Sequence, residues 1–148
     1  MERKGQAAME FLMTYGWAIL AAIIAIGVLA YFGVFSPSKF VSDTYTLNAP
    51  FNLRAVAASV ATGVQLDVLN GAGETVTITA ITVSGCAGAV TPGLPYLQPT
   101  GNYTVYTVPC VPALTAGNIF RGDVTVTYTK GDSALPQRAT GSIVTRVP

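Results

Sequence analysis

The sequence predicts an α+β protein, with one long hydrophobic N-terminal helix followed by an antiparallel β-sandwich head. Two observations carry this reading. From Phe11 to Ser38 no side chain is ionisable except tyrosine, and about 20 apolar residues are enough to cross a bilayer core. From about Thr44 onward the apolar residues recur at every second position instead, which is the period of half-buried strands.

The helical stretch is expected from Gln6 to Phe35 and is apolar on every side of a helical projection, with Gly33 and Pro37 as stop signals. A helix of that kind must be buried in lipid or in protein. Ala18 with Ala22 and Ala21 with Ala25 stand at helical spacing, which lets other helices approach closely. Alanine and glycine are also common in membrane spans for no such reason, and the pattern alone does not choose. Arg3 and Lys4 precede the stretch and no cation follows until Lys39. That asymmetry keeps the N-terminus cytoplasmic and places everything beyond Phe35 outside. The expected organisation is a polar leader over 1–5, the hydrophobic helix over 6–36, a linker over 37–46 and the head over 47–148.

In the head, Val64, Leu66 and Val68 alternate with Gln65 and Asp67. Val76, Ile78 and Ala80 alternate with Thr75, Thr77 and Thr79, and Val124, Val126 and Tyr128 with Thr125, Thr127 and Thr129. Phe51 to Ala58, Asn102 to Val108 and Thr140 to Val147 are weaker strand candidates. The apolar phase slips by one residue between Ala80 and Ile81, which predicts a bulge or a strand end. Clusters such as Asn70-Gly71-Ala72-Gly73, Pro99-Thr100-Gly101 and Lys130-Gly131-Asp132 read as turns. Six or seven short strands with such turns predict an antiparallel sandwich, Ig-like in outline. The strand threonines combine β-branching with a solvent-facing hydroxyl, a soluble face without charge that O-linked sugars could also decorate.

Composition narrows the function classes. Charged residues make up 10% of the 148, the formal net charge is +1 and histidine is absent. Beyond Lys39 only Arg54, Arg121, Lys130, Arg138 and Arg146 are cationic and they are widely spaced, so no nucleic-acid surface is expected. General acid–base work needs paired titratable groups, and the head offers only Asp43, Asp67, Glu74, Asp123 and Asp132. No enzyme activity, cofactor or metal site is expected, although turn carboxylates leave a calcium site open as an alternative.

Cys86 and Cys110 are the only cysteines and both lie in the domain placed outside, so a disulfide is expected, with two free thiols as the alternative. Asn102-Tyr103-Thr104 is an Asn-x-Thr sequon beside a turn, making Asn102 a glycosylation candidate.

Glu10 is the anomaly. A carboxylate at the edge of the hydrocarbon, or inside it, costs several kcal/mol and normally has a partner or a purpose. Snorkelling to the headgroups or protonation is one reading. The other requires the chain to be cut after Gly5, so that the new amino terminus at Gln6 of one subunit pairs with Glu10 of a staggered neighbour and fixes axial register.

Lys4-Gly5-Gln6-Ala7-Ala8-Met9-Glu10-Phe11-Leu12, leading straight into the apolar stretch, closely resembles the class III signal peptide of archaeal type IV pilins and pilin-like proteins. The resemblance covers about the first 35 residues. It implies cleavage between Gly5 and Gln6 by a membrane prepilin peptidase on the cytoplasmic side, with the helix retained. One archaeal subgroup is written Gln-x-Ser-x-Glu-x-x-x-Leu; Gln6 and Glu10 match it, while Ala8 stands at the serine position and Thr14 at the leucine position. The implied partners are further copies of the chain, the membrane before assembly, the peptidase, and an assembly ATPase with its platform. The implied function is that of a structural subunit of an extracellular surface filament, its helix in the filament core. A single-pass anchored adhesin that never polymerises, and a minor pilin or pseudopilin of a secretion or DNA-uptake system, are the alternatives.

Overall fold

The computed structural model describes residues 2–36, 40–131 and 133–148. Pro37, Lys39 and Asp132, read above as a stop signal, the first cation past the helix and a turn residue, lie outside them. The chain divides into two compact units, Met1–Phe40 and Val41–Pro148.

The first unit is a single helix, α1 (Glu2–Tyr31). Its 30 residues rise about 45 Å at about 1.5 Å each, and it is long and apolar enough to cross a membrane. It begins earlier than expected. The polar leader, placed ahead of the expected helix, is helical from Glu2 onward, because Glu, Arg and Lys are good helix formers that extend an adjoining helix at little cost. The C-terminal end forms as the glycine signal requires. Gly33 adopts φ 71°, its N–H donates to Ala30 O at 3.0 Å, and the Val34 N–H donates to Leu29 O at 3.2 Å. This is a Schellman cap, and only glycine takes its left-handed position without steric cost.

Among the described residues the second unit is a two-sheet sandwich of eight strands: β1 (Thr44–Leu47), β2 (Phe51–Ser59), β3 (Gly63–Asn70), β4 (Val76–Val83), β5 (Tyr96–Gln98), β6 (Tyr103–Val108), β7 (Ile119–Lys130) and β8 (Gln137–Arg146). All pairs are antiparallel, in the orders β1-β8-β7-β4-β5 and β2-β3-β6. Together with α1 this is the α+β class that the two hydrophobic periods predict. Two short strands were not anticipated. β1 falls largely inside the segment read as linker, so the head begins before residue 47. β5 has three residues among prolines, too few to show a period.

The core forms where inward-facing positions of the two sheets meet. Phe51, Leu66, Val68 and Tyr106 from one sheet pack with Ile78, Val126, Tyr128 and Ile143 from the other, all at most 4% exposed. Each such aliphatic side chain contributes about 1.5–3 kcal/mol on burial. Phe51 and Tyr128 meet edge to face across the layer with ring centroids 4.8 Å apart, and Tyr96 meets Tyr106 likewise at 5.9 Å. Cys86, just past β4, and Cys110, just past β6, form the disulfide, which ties one sheet to the other.

The phase slip in β4 is a bulge. Pairing with β7 jumps from Ile78 to Ala80, leaving Thr79 as the extra residue, and burial shifts from Val76 and Ile78 to Ile81 and Val83. The Thr79 hydroxyl donates to Thr127 O at 3.1 Å, satisfying a carbonyl beside the disrupted pairing.

Candidate functional site

Gly5, Gln6 and Glu10 lie on consecutive turns of α1 and all three are exposed. Gln6 and Glu10 are four residues apart and therefore share a helix face. Gly5 sits in helical backbone, and a Cβ added there would meet nothing within 4 Å. Glycine is the weakest interior helix former after proline, so Gly5, like Gly16 and Gly27, contributes little to the stability of α1. Beside Glu10 the apolar side chains of Met9, Phe11, Leu12 and Met13 are each more than half exposed. Thr14 turns its hydroxyl back to Glu10 O at 2.9 Å, so it offers the helix surface a methyl group rather than an unpaired donor. Further along, Trp17, Ile23, Ile24 and Ile26 are also exposed, and Gly16 and Gly27 leave open space on the helix surface. Glu10 therefore stands at the N-terminal edge of an uncharged apolar stretch running from Phe11 to Phe35.

In the head, the Asn102 side chain is exposed while its backbone is pinned. Asn102 O accepts from Asn70 N at 3.2 Å and from Gln98 Nε2 at 3.1 Å. This places the exposed sequon asparagine immediately before β6.

Two features of the head escaped the sequence reading. The first is a buried polar cluster. Gln98 and Asn70 are fully buried; Gln98 Nε2 donates to Val68 O at 2.8 Å, the Tyr106 hydroxyl donates to Gln98 Oε1 at 3.1 Å, and Asn70 Nδ2 donates to Gln98 O and Glu74 O, both at 2.9 Å. These bonds fasten the three-residue strand β5 to the opposite sheet. Burial first, and the neighbouring Tyr96 second, push the Tyr106 phenol well above the usual tyrosine range; burial also raises Tyr128. The second is Asp67, which the alternation in β3 assigned to solvent. It is 7% exposed, whereas Asp43, Glu74 and Asp123 are exposed. A bulge in β2 explains the difference. Pairing with β3 jumps from Leu53 to Ala55, and the extra residue, Arg54, lays its Nε 2.7 Å from Asp67 Oδ2 while its guanidinium covers the Tyr103 ring at 4.3 Å. The Arg54 carbonyl accepts from the Tyr45 hydroxyl at 2.8 Å.

No family model, curated protein or solved structure matches this chain.

Proposed function

We propose that the chain is a structural subunit of an archaeal type IV pilus-like surface filament, cut between Gly5 and Gln6 and assembled through its hydrophobic helix. The observation that carries the reading is the exposed apolar surface of α1 with one carboxylate, Glu10, at its N-terminal edge, one helical turn past Gln6. An unpartnered apolar helix has two stable environments, lipid and a bundle of like helices. The chain uses both in turn: it waits as a single-pass precursor with its N-terminus cytoplasmic, and it then exchanges lipid for neighbouring helices.

Cutting leaves an α-amine at Gln6. Within one helix that amine and Glu10 are separated by about 6 Å of rise and sit in the first turns together. Between staggered subunits they meet, cancel two charges inside an apolar bundle and fix the axial offset. The small residues Ala18, Ala21, Ala22 and Ala25 allow the close helix approach such packing needs. The head carries no reaction in this account; its partners are other copies of the chain, the prepilin peptidase and the assembly ATPase with its platform, and Asn102 is open to glycan. The test is Glu10→Ala in native cells. Loss of sedimentable filaments, with precursor still trimmed and the head still folded, is the expected result, and filaments at normal abundance would remove the register role.

A further inference from the structure

The outer face of the three-stranded sheet holds one group whose bonding is incomplete. Asp67 is more than nine-tenths buried, Arg54 occupies its Oδ2, and Oδ1 has no hydrogen-bond partner. A buried acceptor left in that state costs about 1–3 kcal/mol, and more when it is charged. Asp67 lines a shallow trough of about 180 Å3 with Ala55, Val56, Ala57, Gln65 and Val105. The trough exists because the cross-strand neighbours are small: Ala55 and Val105 flank Asp67, and Ala57 flanks Gln65. Val105 and Tyr103 beside it are about half exposed, and the exposed Arg54 guanidinium lies over the Tyr103 ring.

The opposite side of the sandwich carries the complement. By the register of β7 with β8, Arg121, Arg138 and Arg146 share the outer face of the five-stranded sheet, and all three are exposed. Asp123 is the only carboxylate on the strands of that face. A guanidinium presents N–H donors in a rigid planar fork and is more weakly hydrated than an ammonium, which suits it to a desolvated carboxylate.

We infer that the trough around Asp67 is a subunit contact, filled by an arginine from the outer face of the five-stranded sheet of a second copy of this chain. The inference rests on the filament reading and adds the contact between heads. The two surfaces are different and lie on opposite sides of the sandwich, so the contact is heterologous and propagates from subunit to subunit instead of closing into a dimer. The incoming guanidinium completes the bonding of Oδ1, while Ala55, Ala57 and Val105 exclude water around it.

Cysteine cross-linking in native cells tests the contact. Ala57→Cys is combined in turn with Arg121→Cys, Arg138→Cys and Arg146→Cys in the full chain, and sheared filaments are oxidised and run under denaturing, non-reducing conditions. A ladder of multimers is expected from at least one double variant, with each single variant remaining a monomer. Intact filaments that give no ladder with any of the three overturn the contact and leave the filament reading standing. Dimers from Ala57→Cys alone overturn it as well, because they report a symmetric face-to-face contact. Absence of any filament from the unsubstituted chain removes both readings together. Ala57→Trp is the second variant: it fills the trough while leaving Asp67 and Arg54 unsubstituted, and loss of filaments with normal precursor trimming is expected. Filaments of normal length from Ala57→Trp would overturn the contact.

Discussion

Arg54 reaches Asp67 because β2 carries one residue more than its partner. The bulge at the Leu53–Ala55 step leaves Arg54 unpaired in the ladder, and its Nε then stands 2.7 Å from Asp67 Oδ2. The same residue is held at both ends, by the Tyr103 ring under its guanidinium and by the Tyr45 hydroxyl on its carbonyl.

Arg54→Ala strands a buried carboxylate, whereas Arg54→Ala with Asp67→Ala removes both charges. Arg54 is itself well exposed, with 62% of its side chain accessible, so the full cost of breaking a buried ion pair does not apply. The single change should destabilise the head by about 1–3 kcal/mol. The double change should recover a large part of that. A denaturant-unfolding double-mutant cycle measures it, and strictly additive losses would show that the pair is not coupled.

The Tyr106–Gln98 bond makes a separate prediction. Tyr106→Phe keeps the ring and its edge contact with Tyr96 but leaves Gln98 Oε1 buried without a donor, which should cost about 1–3 kcal/mol. Equal stability of the variant and the unsubstituted chain would mean that the cluster does not fasten β5.

Alkaline pH should act through the same phenols. Their folded pKa values are raised, so between the ordinary tyrosine value of about 10 and the folded value the native state binds more protons than the unfolded one. The stabilisation is fully present below about pH 10 and is lost as pH rises beyond it. Unfolding monitored by tyrosinate absorbance should show Tyr106 and Tyr128 ionising with the loss of structure, and Tyr106→Phe should flatten the alkaline decline. Ionisation of every tyrosine at the ordinary value with the fold intact would contradict the burial argument.

Reduction should loosen the sandwich. The Cys86–Cys110 disulfide spans a sequence separation of 24 and joins the two sheets, so Cys86→Ser with Cys110→Ser should cost roughly 3 kcal/mol in the chain-entropy model. Thermal melts with and without reductant measure the loss, and unchanged melting would show that the cross-link adds nothing to the packed core.

The parts of this fold that were legible are those in which one physical rule acts alone. An uninterrupted apolar run reads as a helix, Gly33 reads as its cap, and the slip at Ala80 reads as a bulge because the period of a strand is two. β1 and β5 were not legible since four and three residues cannot display a period, and both are held by partners distant in sequence. Asp67 was assigned to the wrong environment for a different reason. Its alternation places it correctly on the outer face, but burial there depends on an arginine delivered by a bulge in another strand. Gly5, Gln6 and Glu10 can be named as candidates from sequence because they stand at local spacing on one helix, and their role is the proposal made above. Gln98 and Tyr106 were the least legible, being brought together by the stacking of two sheets.

The most direct test of the central claim is mass spectrometry of the N-terminal peptide from protein sheared off its native cells. A terminus at Gln6 is expected, as a free amine able to meet Glu10 of a neighbour. A terminus at Met1 on abundant surface protein would contradict it, leaving an anchored ectodomain in place of a filament subunit.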